Sequence, residues 1–429
     1  LIAKNSKKIE EKAINGNPNL RANVKPLYYG NQYFLFVYKV YTDVRLVGAP
    51  PSSIGKFGGD TDNWMWPRHT GDFSLFRVYA GADNEPAEYD PNNVPFQPKR
   101  FFKVNAAGIS EGDFTMVYGF PGRTNEYLFS DAVKYTALIS NPHKIALRTL
   151  RLDIQKEYMN KDRAIRIKYA SKNAGVSNAW KKWQGEAKGI LKMRAIENKQ
   201  DFEAKFDKWA EGKAEYENLV ERFKELYATI EELSLVQDYQ TEALNAVELI
   251  SFAGRGQRGA ERFYKDYHMP IDKASFVALY NAYNKNIADK YKAPYFKEQL
   301  QKYGSVEAWG NALFTEQPNM EMAAEIYKQT NDYFKANIAP TLEAVNKELA
   351  IMYRAYMRGQ MEYNEATKGG KLFYPDANST LRVAYGQVKG YKPADAIYYT
   401  PVSSLDGVIE KDNPEIYDYN IPQKLRDLH

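Results

Sequence analysis

Apolar spacing changes twice along these 429 residues, and that double change restricts the possible architectures more than any other property of the sequence. From Tyr33 to Val47 the chain is rich in β-branched and aromatic residues that partly alternate with polar ones, the two-residue period of a strand. Phe73–Ala80, Arg100–Val104 and Phe114–Phe120 read as further strands. The turn-forming runs Gly81-Ala82-Asp83-Asn84, Asp90-Pro91-Asn92-Asn93 and Pro121-Gly122 divide them. After about Asn141 the apolar residues fall three and four apart, first at Leu147, Leu150, Ile154 and Tyr158. Leu219, Phe223, Leu226, Ile230 and Leu233 then keep the rhythm of a helix packed along one seam, and helices are expected to about Glu365. Strand-like sequence returns at Ser379–Gln387, after the loop Tyr374–Asn378.

Strands, a long helical block and strands again are the pattern of a helical domain inserted into a β domain. The expectation is an α+β chain with a β domain over 1–140, a helical insertion over 141–370 that could wall a substrate cleft, and a return to the β domain over 371–429. A hydrophobic content of 44% is enough for large cores. No stretch approaches the roughly 20 apolar residues of a membrane-spanning helix. Leu1 opens neither a methionine start nor a signal peptide, so the natural N-terminus is expected to be absent and the missing signal says nothing about export.

The sequence has no cysteine, which excludes disulfides, thiolate nucleophiles and Cys-ligated metals. Its four histidines, His69, His143, His268 and His429, show no zinc-ligand spacing, so no metal site is expected. Asp60 and Asp62 lack the following Gly and Glu of a calcium loop and read as turn-forming carboxylates. Gly254-Arg255-Gly256-Gln257-Arg258-Gly259 fits GxGxxG, but helical sequence precedes it where a dinucleotide fingerprint needs a strand, so it reads as an inter-helix loop. Asn378-Ser379-Thr380 is a glycosylation pattern that chance often produces. Residues 161–194 carry ten Lys or Arg against Asp162 and Glu186, a net of +8. Such a run is a solvated helix face or a patch for an anionic partner, and no nucleic-acid module accompanies it.

The densest signal is residues 57–76, Phe-Gly-Gly-Asp-Thr-Asp-Asn-Trp-Met-Trp-Pro-Arg-His-Thr-Gly-Asp-Phe-Ser-Leu-Phe. Its content of Gly, Asp, Asn and Trp exceeds what a turn or a core strand needs. His69 and Asp72 could be taken for a dyad, yet a triad's base and carboxylate normally come from separate chain segments. On sequence physics alone Asp72 is either catalytic or a capping residue. The stretch Asn63–Ser74, with Ala49–Gly58 before it, resembles a signature of bacterial dipeptidyl peptidases of chymotrypsin-like fold, the family of the dipeptidyl-peptidase seven and eleven types. The likeness continues through Tyr118–Gly122, Tyr169–Lys172 and Tyr385–Gly390.

That resemblance implies a chymotrypsin-like antiparallel β double barrel, incomplete here, and a serine exopeptidase that releases N-terminal dipeptides without a cofactor. Asp72 would be the triad carboxylate, accepting a hydrogen bond from the catalytic histidine and stabilising its imidazolium. In the family the base lies before this region in a His-His-Cys-type segment, and the nucleophile lies after it in a Gly-Gly-Asn-Ser-Gly-Ser segment, so His69 is not the base. Asn63 and Trp64, with Asn178, would hold the substrate's free α-ammonium. Phe114–Leu128 is nearer the acidic-residue-specific type, and hydrophobic specificity is the alternative. The resemblance further implies peptide partners, a homodimer, no nucleic acid, and the periplasm or outer surface of a Gram-negative bacterium. A non-catalytic peptide binder and a helical interaction module are the competing classes.

Overall fold

Alternating sequence on both sides of the helical block comes together in one ladder. In the computed structural model, which describes residues 2–429, strand Phe114–Gly119 pairs antiparallel with Arg382–Gln387, in register from Phe114 opposite Gln387 to Gly119 opposite Arg382. The chain divides into two compact units, Leu1–Glu126 with Leu372–His429, and Tyr127–Lys371.

The first unit holds four small antiparallel sheets among the described residues. With the strands numbered along the chain, β1 (Leu20–Leu27) and β2 (Gln32–Lys39) form a hairpin, and β3 (Val44–Gly48), β4 (Leu75–Ala80) and β5 (Val94–Pro95) a three-stranded sheet. β6 (Phe114–Gly119) and β7 (Arg382–Gln387) make the ladder just described, and β8 (Tyr391–Ala394) pairs with β9 (Ile397–Tyr399). These ribbons do not close into a double barrel. Arg100–Val104 is no strand: it finds no neighbour to complete its backbone hydrogen bonds, and Phe102 and Val104 are 85% and 94% exposed. A helix at Ile2–Ile14 precedes the strands, and its Glu10 carboxylate accepts the Val24 N–H at 2.6 Å.

Helices build the second unit. Ser130–Tyr135 and a π turn over Thr136–Ser140 lead into helix Asn141–Lys161, which buries Leu147, Leu152 and Gln155 and leaves Leu150 more exposed than its spacing suggests. Helix Leu219–Glu242 buries Leu219, Phe223, Leu226 and Ile230 of the expected seam and leaves Leu233 half-buried; it packs against helix Ala339–Ala366. The contact is aromatic: Phe223 lies 4.7 Å from the Phe129 ring and 4.9 Å from Tyr353. Residues 254–259 form the turn between helices Glu248–Gly254 and Ala260–Lys265. Gly254 is required by close packing, since a Cβ there would overlap the Tyr327 ring; Gly256 and Gly259 take φ +76° and +73°.

Candidate functional site

β3 and β4 are paired, and the connection between them carries the Gly-, Asp- and Trp-rich segment. Its course is fixed by backbone bonds that a packed core could not supply. A short helix at Ser52–Gly55 turns the chain, the Gly71 N–H donates to the Ile54 carbonyl at 3.0 Å, and the Thr70 hydroxyl donates to the Phe57 carbonyl at 2.8 Å. Phe57 joins Val408 and Ile421 in a small core, edged by Leu405, Ile409 and Tyr419. The connection is thereby seated on the C-terminal segment of the same unit. A cavity of about 300 Å³ lies beside it, lined by Ile54, Phe57, His69, Ser403 and Leu405 among others.

Asp72 stands at the end of this connection, just before β4. Its side chain is exposed, and among the described residues it has no hydrogen-bond or ion-pair partner. His69 does not bond to it. The His69 imidazole is half-buried, its Nδ1 has no partner, and burial together with the Lys411 ammonium pushes its pKa below the usual value. Desolvation and the nearby cation both disfavour imidazolium and outweigh the opposing pull of Asp62 and Glu410.

Asn63 is half-buried and its N–H approaches the Asp60 carbonyl at 3.4 Å. Trp64 follows with φ +62° and an indole 62% exposed. A large aromatic residue in the left-handed region is strained, and such strain concentrates where backbone geometry serves a ligand. The structure therefore brings Asn63, Trp64 and Asp72 onto one connection. Asn178 lies in the other unit, exposed on helix Arg163–Lys192. The turn beneath it is firmly held: Arg148 donates to the Val176 carbonyl at 3.0 Å while forking to Glu242 at 2.9 and 2.8 Å, and Trp180 Nε1 donates to Thr149 at 2.9 Å. Part of the basic stretch is spent locally, Lys172 on Glu248 at 2.5 Å, Lys161 on Glu157 at 2.7 Å and Lys182 on Glu186.

Sequence reasoning missed one set of groups. Asp62, read as a turn carboxylate, is buried and binds Lys411 Nζ and the Tyr419 hydroxyl, each at 2.8 Å. No local pattern marks it, because its partners come from the other end of the chain.

The sequence pattern of the peptidase S46 family matches residues 1–331 and 270–429. The chain belongs to that family. It is similar to the Asp/Glu-specific dipeptidyl-peptidase of Flavobacterium psychrophilum, with 43% identity over 95% of this chain and 62% of the relative. It is also similar to dipeptidyl-peptidase 7 of Phocaeicola vulgatus, with 36% identity over 97% of this chain and 63% of the relative. Among solved structures, Porphyromonas endodontalis DPP11 superposes with a TM-score of 0.83 at 32% identity, covering 98% of this chain and 66% of that one. The same protein in complex with the dipeptide Arg-Glu matches with a TM-score of 0.78 at 33% identity, covering 99% of this chain and 67% of that one. The chain thus spans a little over three fifths of the length of the curated relatives it matches.

Proposed function

We propose that the whole protein is a serine dipeptidyl peptidase that removes N-terminal dipeptides bearing Asp or Glu at the second position. The observation that carries this reading is Asp72, an exposed carboxylate with no structural bond to maintain, at the end of a pinned connection in a peptidase family. Its task would be to orient the catalytic histidine and stabilise the imidazolium formed when a serine attacks the peptide carbonyl. Base and nucleophile would come from parts of the protein outside these residues. The small sheets of the first unit would be portions of chymotrypsin-like barrels.

Asn63 and Trp64 would receive the α-ammonium of the substrate, and Asn178 is proposed for the same task on the family resemblance. The acidic preference draws on relatives named Asp/Glu-specific at 43% and 40% identity. Hydrophobic preference is the second reading, favoured by the likeness to dipeptidyl-peptidase 7 at 36%. A homodimer, and a place in the periplasm or on the outer surface of a Gram-negative bacterium, are proposed from the same resemblance.

The test is dipeptide release by the full-length protein from fluorogenic Xaa-Asp and Xaa-Leu substrates, each with a free or acetylated N-terminus. Release from free Xaa-Asp with little from Xaa-Leu or either blocked substrate is expected. Turnover of acetylated substrate would rule out an ammonium anchor, and preference for Xaa-Leu would establish the second reading.

A further inference from the structure

An amide and an indole bind a cation well only where their backbone is already fixed, because ordering postponed to binding weakens it. The backbone around Asn63 and Trp64 is not one that a chain adopts unaided. Gly58, Gly59 and Trp64 have φ of +82°, +42° and +62°. A Cβ at Gly58 would run into the Asp62 carboxylate, and one at Gly59 into that of Asp418. A left-handed tryptophan persists only where its surroundings over-determine it.

Asp62, the residue before Asn63, is where those surroundings converge. Every polar group it has is engaged. Its N–H donates to the Gly58 carbonyl at 2.8 Å, and its carbonyl accepts from Arg68 at 2.7 Å and from the Met65 N–H at 3.1 Å. Oδ1 accepts from the Tyr419 hydroxyl and Oδ2 from Lys411, both at 2.8 Å. The Asp62 side chain is 10% exposed, so loss of its cation would strand a buried charge. The segment it grips is itself fastened: the Gly58 N–H donates to the Asp418 carbonyl at 2.7 Å, and the Thr61 hydroxyl to the Asp418 carboxylate at 2.8 Å.

We propose that Asp62 is a positioning residue, which through Lys411 and Tyr419 holds the Asn63–Trp64 backbone in the conformation that receives a peptide's free N-terminus. This rests on the reading of Asn63 and Trp64 as the ammonium anchor. Were Asp62 only a brace for the C-terminal segment, weakening it would act on substrate affinity independently of Asn63.

The experiment measures KM and kcat of the full-length protein on its dipeptidyl substrate for Asp62→Asn, Tyr419→Phe, Asn63→Ala and the Tyr419→Phe/Asn63→Ala double variant. Tyr419→Phe keeps the ring beside Phe57, 5.8 Å between centroids, and removes only the hydroxyl, so it reports even where Asp62→Asn does not fold. The expected result is a KM raised roughly threefold by Tyr419→Phe and roughly tenfold by Asp62→Asn, with kcat held within about twofold. In the Asn63→Ala background the added effect of Tyr419→Phe should shrink to the part carried through Trp64, because the path through Asn63 cannot be lost twice. An unchanged KM for Tyr419→Phe, or an equal effect with and without Asn63, overturns the positioning role while leaving the anchor intact. An unchanged KM for Asn63→Ala overturns the anchor itself, and the inference with it.

Discussion

Asp62 and Asp72 belong to the same connection, yet their surroundings assign them opposite work. Asp62 is buried with a cation and a phenol on its two oxygens; Asp72 faces solvent with neither. The Asp72 carboxylate braces nothing within the described residues, so it is available to a histidine arriving from another segment. Asp72→Asn in the full-length protein should therefore lower kcat on the order of 10⁴-fold, because an amide cannot hold the imidazole in the tautomer that accepts the serine proton. The melting temperature should barely move, since no bond within these residues depends on the carboxylate. Steady-state kinetics and thermal melting together check this, and near-normal turnover would remove Asp72 from the triad.

At the scale of elements, buried carboxylates tie helices of the second unit together. Glu203, on helix Ala195–Ala210, accepts the Ser130 N–H at 2.7 Å and the Ser130 hydroxyl at 2.6 Å, where helix Ser130–Tyr135 begins. Burial pushes its pKa up to about 7 from 4.5, against the smaller opposing effect of those two bonds. The folded state therefore holds the proton more tightly than the unfolded one, and stability from this group is full below pH 4.5 and declines as pH rises to about 7. The decline amounts to about 3 kcal/mol by the size of the shift. Glu203→Gln keeps both bonds with the serine hydroxyl reversed and removes the titration. Its melting temperature should match the wild type near pH 4.5 and exceed it by several degrees at pH 8; a difference independent of pH would refute the assignment. None of this was legible in the sequence, where Glu203 is one more charge on an amphipathic helix. What was legible is what repeats locally, such as the Leu219–Ile230 seam and the strands at 114 and 382. Arg100–Val104 had the composition of a strand but lacks a partner, and the partners of Asp62 lie 349 and 357 residues away, beyond the reach of any local pattern.

For the molecule as a whole, the two units are unequal in what they bury. The largest fully buried side chains, from Trp309, Tyr169 and Tyr239 to Leu147, Leu244 and Leu249, all lie within Tyr127–Lys371. In the first unit apolar strand residues such as Leu46, Phe76, Val117 and Tyr385 are exposed, and the sheets leave open edges. A two-stranded ribbon is marginal in water without something packed on its face, and open apolar edges recruit other chains. Together with a length a little over three fifths of the relatives', this argues that those faces are covered in the whole protein by segments outside residues 1–429. Residues 127–371 expressed alone should then melt in one cooperative helical transition and bind little hydrophobic dye, since their core is complete. Residues 1–429 should bind dye strongly and aggregate beyond a dimer, and the full-length protein should do neither. Circular dichroism melting, dye fluorescence and sedimentation on the three proteins decide the matter. A monomeric, dye-silent 1–429 would mean that the ribbons close upon themselves, and the barrel portions inferred for this unit would have to be abandoned.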